Sequence, residues 1–209
     1  SIAPKAGCHQ VLLHDDLLLV PCMEHDEIRL FSAKDYTPQG AIAFPAGSGP
    51  RHGVFGRTHQ NLYVAAEKEN AVYRFGVHAC AFEPEQRVPL LDSSSSGCNE
   101  TAAIRFSPDE RFLYVSVRGA NRIVVLACTA DGLQVIQRVS CGGDHPRDIA
   151  LSPDGRFVLS VNRYSGDLTC FPRDPASGRI GEQCSKVSVP EGVSIVFDAQ
   201  MKGEENETV

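Results

Sequence analysis

Three arginines, two histidines and one glutamate stand at corresponding places along this sequence: His9, Arg51, His52, Glu67, Arg105 and Arg147. A guanidinium is a planar fork that bonds two oxygens at once, so three of them suit a carboxylate or a phosphate. Glu67 or His9 can relay a proton in ester hydrolysis or in its reverse. An Arg or His donor can stabilise the oxyanion of a tetrahedral intermediate. A structural reading competes at each position. Arg51 and Arg147 both follow a proline, so each can instead bond backbone carbonyls in a repeated turn. Arg105 lies inside an apolar strand pattern, where an arginine needs a partner. His52 suits a structural role as well as contact with a substrate.

Other chemistry-bearing groups are weaker candidates. His14-Asp15-Asp16 and Glu24-His25-Asp26 carry atoms that can ligate a metal, but each falls in a predicted turn. Arg118 and Arg163 follow second strands and fit either channel-mouth residues or solvated turns, the second reading being favoured. No nucleophile elbow, phosphate-cradling glycine loop or Cys–His pair is present, so neither a cofactor nor a metal is expected. The eight cysteines form no Cys-x-x-Cys and no metal-finger spacing. Several sit inside apolar strand patterns, which predicts reduced thiols and a cytoplasmic protein.

The elements that position these residues are repeated. Ser107-Pro108-Asp109-Glu110-Arg111-Phe112 is echoed 45 residues later by Ser152-Pro153-Asp154-Gly155-Arg156-Phe157. An apolar strand precedes each copy (Ala103–Phe106, Asp148–Leu151) and another follows it (Arg122–Leu126, Asp167–Phe171). Two weaker copies lie upstream, built on Gln10–Leu13, Leu17–Val20 and Glu27–Phe31, and on Gly53–Phe55, Asn61–Val64 and Ala71–Phe75. The second strands align at Leu18, Leu62, Leu113 and Val158, in steps of 44, 51 and 45 residues. Candidate fourth strands are Ala41–Phe44, Arg87–Leu91, Leu133–Ile136 and Lys186–Val189; Pro89 is tolerable on an outermost strand, which leaves one edge unpaired. Pro presets φ in the Ser-Pro-Asp-Gly turn, and Asp and Gly tolerate the bend.

Four-stranded units at this period predict an all-β fold, a β-propeller of about four four-stranded blades plus a closing strand. The blades fall at about 7–46, 51–92, 101–140 and 146–190, with the closing strand at 193–197. Together they form one partial propeller over 1–198, and the polar tail 199–209 is expected to be disordered. In a propeller the innermost strands line the channel and the loops at blade ends carry function, which is where the six candidates fall. The net charge of −6 argues against nucleic acid. No apolar run approaches the ~20 residues that span a bilayer.

Gly49-Pro50-Arg51-His52, Ala102-Ala103-Ile104-Arg105 with Ser-Pro-Asp, Val117-Arg118-Gly119, His145-Pro146-Arg147-Asp148 and the final Val189–Phe197 together resemble the seven-bladed lactonase family. That family contains the propeller-type 6-phosphogluconolactonases and the fungal carboxy-cis,cis-muconate lactonizing enzyme. The resemblance implies a lactone hydrolase acting on a sugar-acid lactone such as 6-phosphogluconolactone. Its partner would be a small anionic lactone or carboxylate. A muconate-type cycloisomerase and a non-enzymatic binding scaffold remain open on the same fold. The resemblance places catalytic residues at His9, Arg51, Glu67 and Arg105; Arg147 and His52 are added as substrate contacts from their blade positions. Whole members have seven blades, so this chain is expected to be the C-terminal part of a larger ring. As a separate piece it is expected to expose apolar surface at both ends, to self-associate and to be inactive.

Overall fold

A computed structural model of the chain describes residue 2 and residues 5–92 and 95–197. Sixteen strands form four separate four-stranded antiparallel sheets, each in sequential order. The first blade holds β1 (Leu12–His14), β2 (Leu17–Cys22), β3 (Glu27–Ser32) and β4 (Pro38–Ala43). The second holds β5 (Pro50–Phe55), β6 (Asn61–Ala66), β7 (Ala71–His78) and β8 (Ala81–Pro89). The third holds β9 (Glu100–Phe106), β10 (Phe112–Arg118), β11 (Arg122–Thr129) and β12 (Gly132–Ser140). The fourth holds β13 (Pro146–Leu151), β14 (Phe157–Asn162), β15 (Asp167–Pro172) and β16 (Ser185–Ser188). The one helical element among the described residues is a short 3-10 turn at Met23–His25.

The repeated turn works through side chains. Ser107 N donates to Phe112 O at 2.8 Å, and Phe112 N donates to Ser107 Oγ at 3.1 Å. The fourth blade repeats this at Ser152 and Phe157, with both distances 3.0 Å. Both turns need a left-handed residue, supplied by Glu110 at φ 57° and by Gly155 at φ 69°.

Three of the cores lie between blades, and a smaller fourth (Ala6, Val20, Cys22, Phe31) sits on the first blade. Leu19, Ile28 and Phe44 of the first blade pack on Leu62, Val64 and Phe75 of the second. Val72 and Leu90 of the second meet Leu113, Val115 and Leu126 of the third. Tyr114, Ile123 and Val125 of the third meet Ile149, Val158 and Phe171 of the fourth. Each fully buried aliphatic side chain contributes about 1.5–3 kcal/mol by leaving water. This packing welds successive blades and sets their channel ends side by side.

Several strands differ from expectation. The fourth strands of the first three blades begin earlier, at Pro38, Ala81 and Gly132. The closing strand expected at Val193–Phe197 is not formed, since this segment joins no ladder among the described residues. A strand needs a backbone ladder; among the described residues this segment is bonded instead through the Asp148 side chain of β13. Val193 and Val196 are exposed there, as Val11 and Leu13 are at β1 of the first blade. The tail at 199–209 and part of the serine run at 93–96 lie outside the described residues. None of the described helices is long and apolar enough to cross a membrane.

Candidate active site at the blade ends

A shared irregularity aims two of the arginines. In the β5–β6 ladder Pro50 faces Ala66 and His52 faces Ala65, so Arg51 is an extra residue. In the β13–β14 ladder Pro146 faces Asn162 and Asp148 faces Val161, so Arg147 is extra in the same way. A bulge of this kind turns a side chain away from the strand's regular alternation. Arg51 and Arg147 are thereby presented at the same end of the inner strands of the second and fourth blades, with β9 of the third blade between them.

Arg51 is 2% exposed and Glu67, just past β6, is 6% exposed. Arg51 Nε lies 2.6 Å from Glu67 Oε2, and Arg118 Nη2 lies 2.8 Å from the same oxygen. The N–H vectors do not point along these contacts, so they act as charge pairs rather than linear hydrogen bonds. Arg118 also reaches Glu100 at 3.2 Å, and Arg51 Nη1 donates to Ala102 O of the third blade at 2.6 Å. Arg118 is therefore no solvated turn residue: it ends β10 inside a buried charge cluster. Arg163, by contrast, pairs with the exposed Glu191 at 3.4 Å and lies over the Tyr164 ring.

Above this cluster a cavity of about 340 Å³ is lined by His9, Gln10, Arg51, His52, Arg105, Arg147, Asp148, Val193 and Ser194. Five of the six sequence candidates meet there, and the sixth, Glu67, lies behind Arg51. Burial, and then the Arg51 guanidinium, push His52 down to about 2, so it is a neutral acceptor for Arg51 Nη1 at 3.3 Å. His9 is held below the usual imidazole value by partial burial and by Arg51, and is a free base at neutral pH. Burial lowers Arg51 to about 10. Arg105 pairs with Asp148 at 2.7 Å. Arg147 is half-buried and makes no hydrogen bond or ion pair with the described residues; burial and then Arg118 depress its pKa.

The weaker candidates fall elsewhere. His14 ends β1, buried against the rings of Phe55 and His59. Its Nδ1 lies 3.2 Å from His59 Nδ1, away from the cavity. No group of three or more His, Cys, Asp or Glu able to hold a metal occurs among the described residues. A larger groove, about 530 Å³, lies against β12 and is lined by Gln137, Val139, Phe171 and Ile180. With Glu182 its one titratable side chain, it offers little to catalysis. Asp148 is the functional candidate that residue spacing missed, and Arg118 the one it set aside as a turn residue. The signal that marks them is position, since each sits within two residues of a strand end, Arg118 closing the second strand β10 and Asp148 near the start of the inner strand β13.

The family described as Lactonase, 7-bladed beta-propeller matches residues 3–197. The 6-phosphogluconolactonase of Bacillus subtilis (strain 168) is 32% identical over 178 residues, which is 82% of this chain and 51% of that protein. The 6-phosphogluconolactonase of Serratia proteamaculans (strain 568) is 31% identical over 79% of this chain and 53% of its own length. Among solved structures, a Lactobacillus plantarum protein superposes with a TM-score of 0.84 at 36% identity, over 89% of this chain and 57% of that one. The periplasmic gluconolactonase of Pseudomonas aeruginosa superposes at 0.83 with 30% identity, over 88% and 55%. The chain thus spans about half the length of the curated relatives it matches. Its repeat, its four blades and its match over residues 3–197 make it a member of the lactonase family of seven-bladed β-propellers.

Proposed function

We propose that the blade-end cavity binds a small anionic sugar-acid lactone and hydrolyses it, with 6-phosphogluconolactone as the leading substrate. The observation that carries this is Arg147, a half-buried guanidinium in the cavity with no hydrogen-bond or ion-pair partner for its side chain among the described residues. A desolvated cation with free donors gains most from a phosphate or carboxylate. Arg51 is committed to Glu67 and to Ala102 O, and Arg105 to Asp148, so Arg147 is the guanidinium free to grip an anion. Glu67 touches two guanidinium groups through one oxygen. That contact suits it to holding arginines in place better than to carrying protons.

His9 takes the base role in this reading. Its neutral imidazole removes a proton from water as the oxygen attacks the lactone carbonyl. The tetrahedral oxyanion forms beside Arg105, the more exposed of the two paired guanidinium groups, whose N–H groups not engaged by Asp148 and Ile104 O stabilise it. Collapse restores the carbonyl and breaks the ring C–O bond. The imidazolium returns its proton to the leaving oxygen, and the open-chain acid departs.

The test is lactone turnover by the whole protein. Arg147→Ala should lower kcat/KM about 10- to 100-fold, the loss of one charge-assisted hydrogen bond, chiefly through KM. His9→Gln should lower kcat by roughly 10²- to 10⁴-fold. Turnover unchanged in both variants, or absent from the wild type, overturns the reading.

A further inference from the structure

Asp148 takes no part in the reaction steps above, yet its carboxylate is saturated. Oδ1 accepts from Arg105 Nη2 at 2.7 Å and from Ile149 N at 2.9 Å. Oδ2 accepts from Ser194 Oγ at 3.2 Å and from Ile195 N at 3.1 Å. A carboxylate offers about four acceptor positions, so none is left for a ligand. The residue is 4% exposed, too buried to tolerate its charge without such partners.

The two oxygens face two different parts of the cavity wall. Asp148 is the ion-pair partner of Arg105, whose other hydrogen bond goes only to the adjacent Ile104 O. On the other side, the segment 193–197 has no ladder, and among the described residues its hydrogen bonds are the two to Asp148. Val193 and Ser194 of that segment line the cavity.

We propose that Asp148 is a positioning residue that couples Arg105 to the 193–195 segment, so that both walls of the anion pocket form together or not at all. The coupling stands on these contacts; only its consequence for binding rests on the function proposed above. Holding both walls through one carboxylate makes the fit of an anion depend on whether the segment is docked.

The experiment uses the whole protein and two readouts. Amide hydrogen exchange at Ile195 and NMR of the Arg105 guanidinium report the coupling without a ligand; inorganic phosphate reports the pocket. Asp148→Asn keeps the shape but sets an amide against donors. It should speed Ile195 exchange about tenfold, release the Arg105 guanidinium, and leave protection at Val158 unchanged. Arg105→Ala should loosen Ile195 from the other side, which also serves if Asp148→Asn fails to fold. Phosphate affinity should fall about equally in the two single variants, and the double variant should lose no more. Asp148→Glu should restore part of both. Unchanged Ile195 exchange in Arg105→Ala, or losses that add in the double variant, overturns the proposal. A wild type that binds no phosphate but shows the linked exchange removes the proposed function and leaves the coupling intact.

Discussion

Replacing Glu67 by Gln removes one negative charge from between two guanidinium groups whose side chains are 3% and 6% exposed. Their contacts are 2.6 and 2.8 Å, close enough for several kcal/mol of attraction each at an effective dielectric constant near 20. Most of that offsets the cost of burying the charges, so the net effect is far smaller than the sum. Breaking a buried pair by removing one partner typically costs about 3–5 kcal/mol. The lower end applies here, because Gln keeps an acceptor, Arg118 keeps Glu100 and Arg51 keeps Ala102 O. The expected loss is therefore about 3 kcal/mol, or roughly 6–12 °C in melting temperature for a chain of this size. Chemical denaturation of wild type and variant at neutral pH measures it. Pairing Glu67→Gln with Arg118→Met in a double-mutant cycle should show strong coupling, since the second charge no longer needs its partner. A loss below about 1 kcal/mol, or additive losses in the cycle, would show that the cluster is not held by this carboxylate.

Three further outcomes follow from the same geometry. His52 has a folded pKa near 2, below its unfolded value, so the unfolded chain binds the proton first. Stability is then full above about pH 6.5 and declines as pH falls toward 2, by up to about 1.4 kcal/mol per pH unit; denaturation midpoints from pH 7 to 5 should fall less in His52→Gln. Gly155→Ala should destabilise by about 1–2 kcal/mol, because φ is +69° and the new Cβ would meet Pro108 Cγ at 2.8 Å. Gly47→Ala should cost less, since its Cβ meets nothing within 4 Å, and equal losses in thermal melts would refute the steric part. Cys8 and Cys22 face each other in a β-bridge with Sγ atoms 3.6 Å apart. A small-molecule disulfide such as oxidised glutathione should take two hydrogens from them and leave one internal disulfide. Peptide mass spectrometry checks this, and a mixed disulfide persisting on Cys8 would count against it.

Much of the architecture is legible in the chain because it is local. Alternating apolar residues, the Ser-Pro-Asp turn and its recurrence 45 residues on are all expressed within a few positions of each other. They therefore announce strands, turns and blades before any tertiary contact is known. The same regularity locates the channel end of each blade, which is why His9, His52, Arg51, Arg105 and Arg147 were recognisable as neighbours. It fails at Val193–Phe197, where the residues suit a strand but form no ladder among the described residues.

What each side chain does there was decided only by the packing of one blade on the next. Glu67 meets Arg118 across the boundary between the second and third blades, and Asp148 meets Arg105 and Ile195 across the fourth blade's two sides. Those partners are more than 40 residues apart, and no periodicity in the chain encodes which carboxylate a given guanidinium will reach. Arg51 and Arg147 each follow a proline at an equivalent bulge, yet one is buried in an ion pair and the other faces the cavity with no ion-pair partner among the described residues. Local sequence sets a bulge and a direction. Whether a charge at its tip is neutralised depends on the neighbouring blade, because desolvation and pairing are properties of the assembled surface and not of the strand.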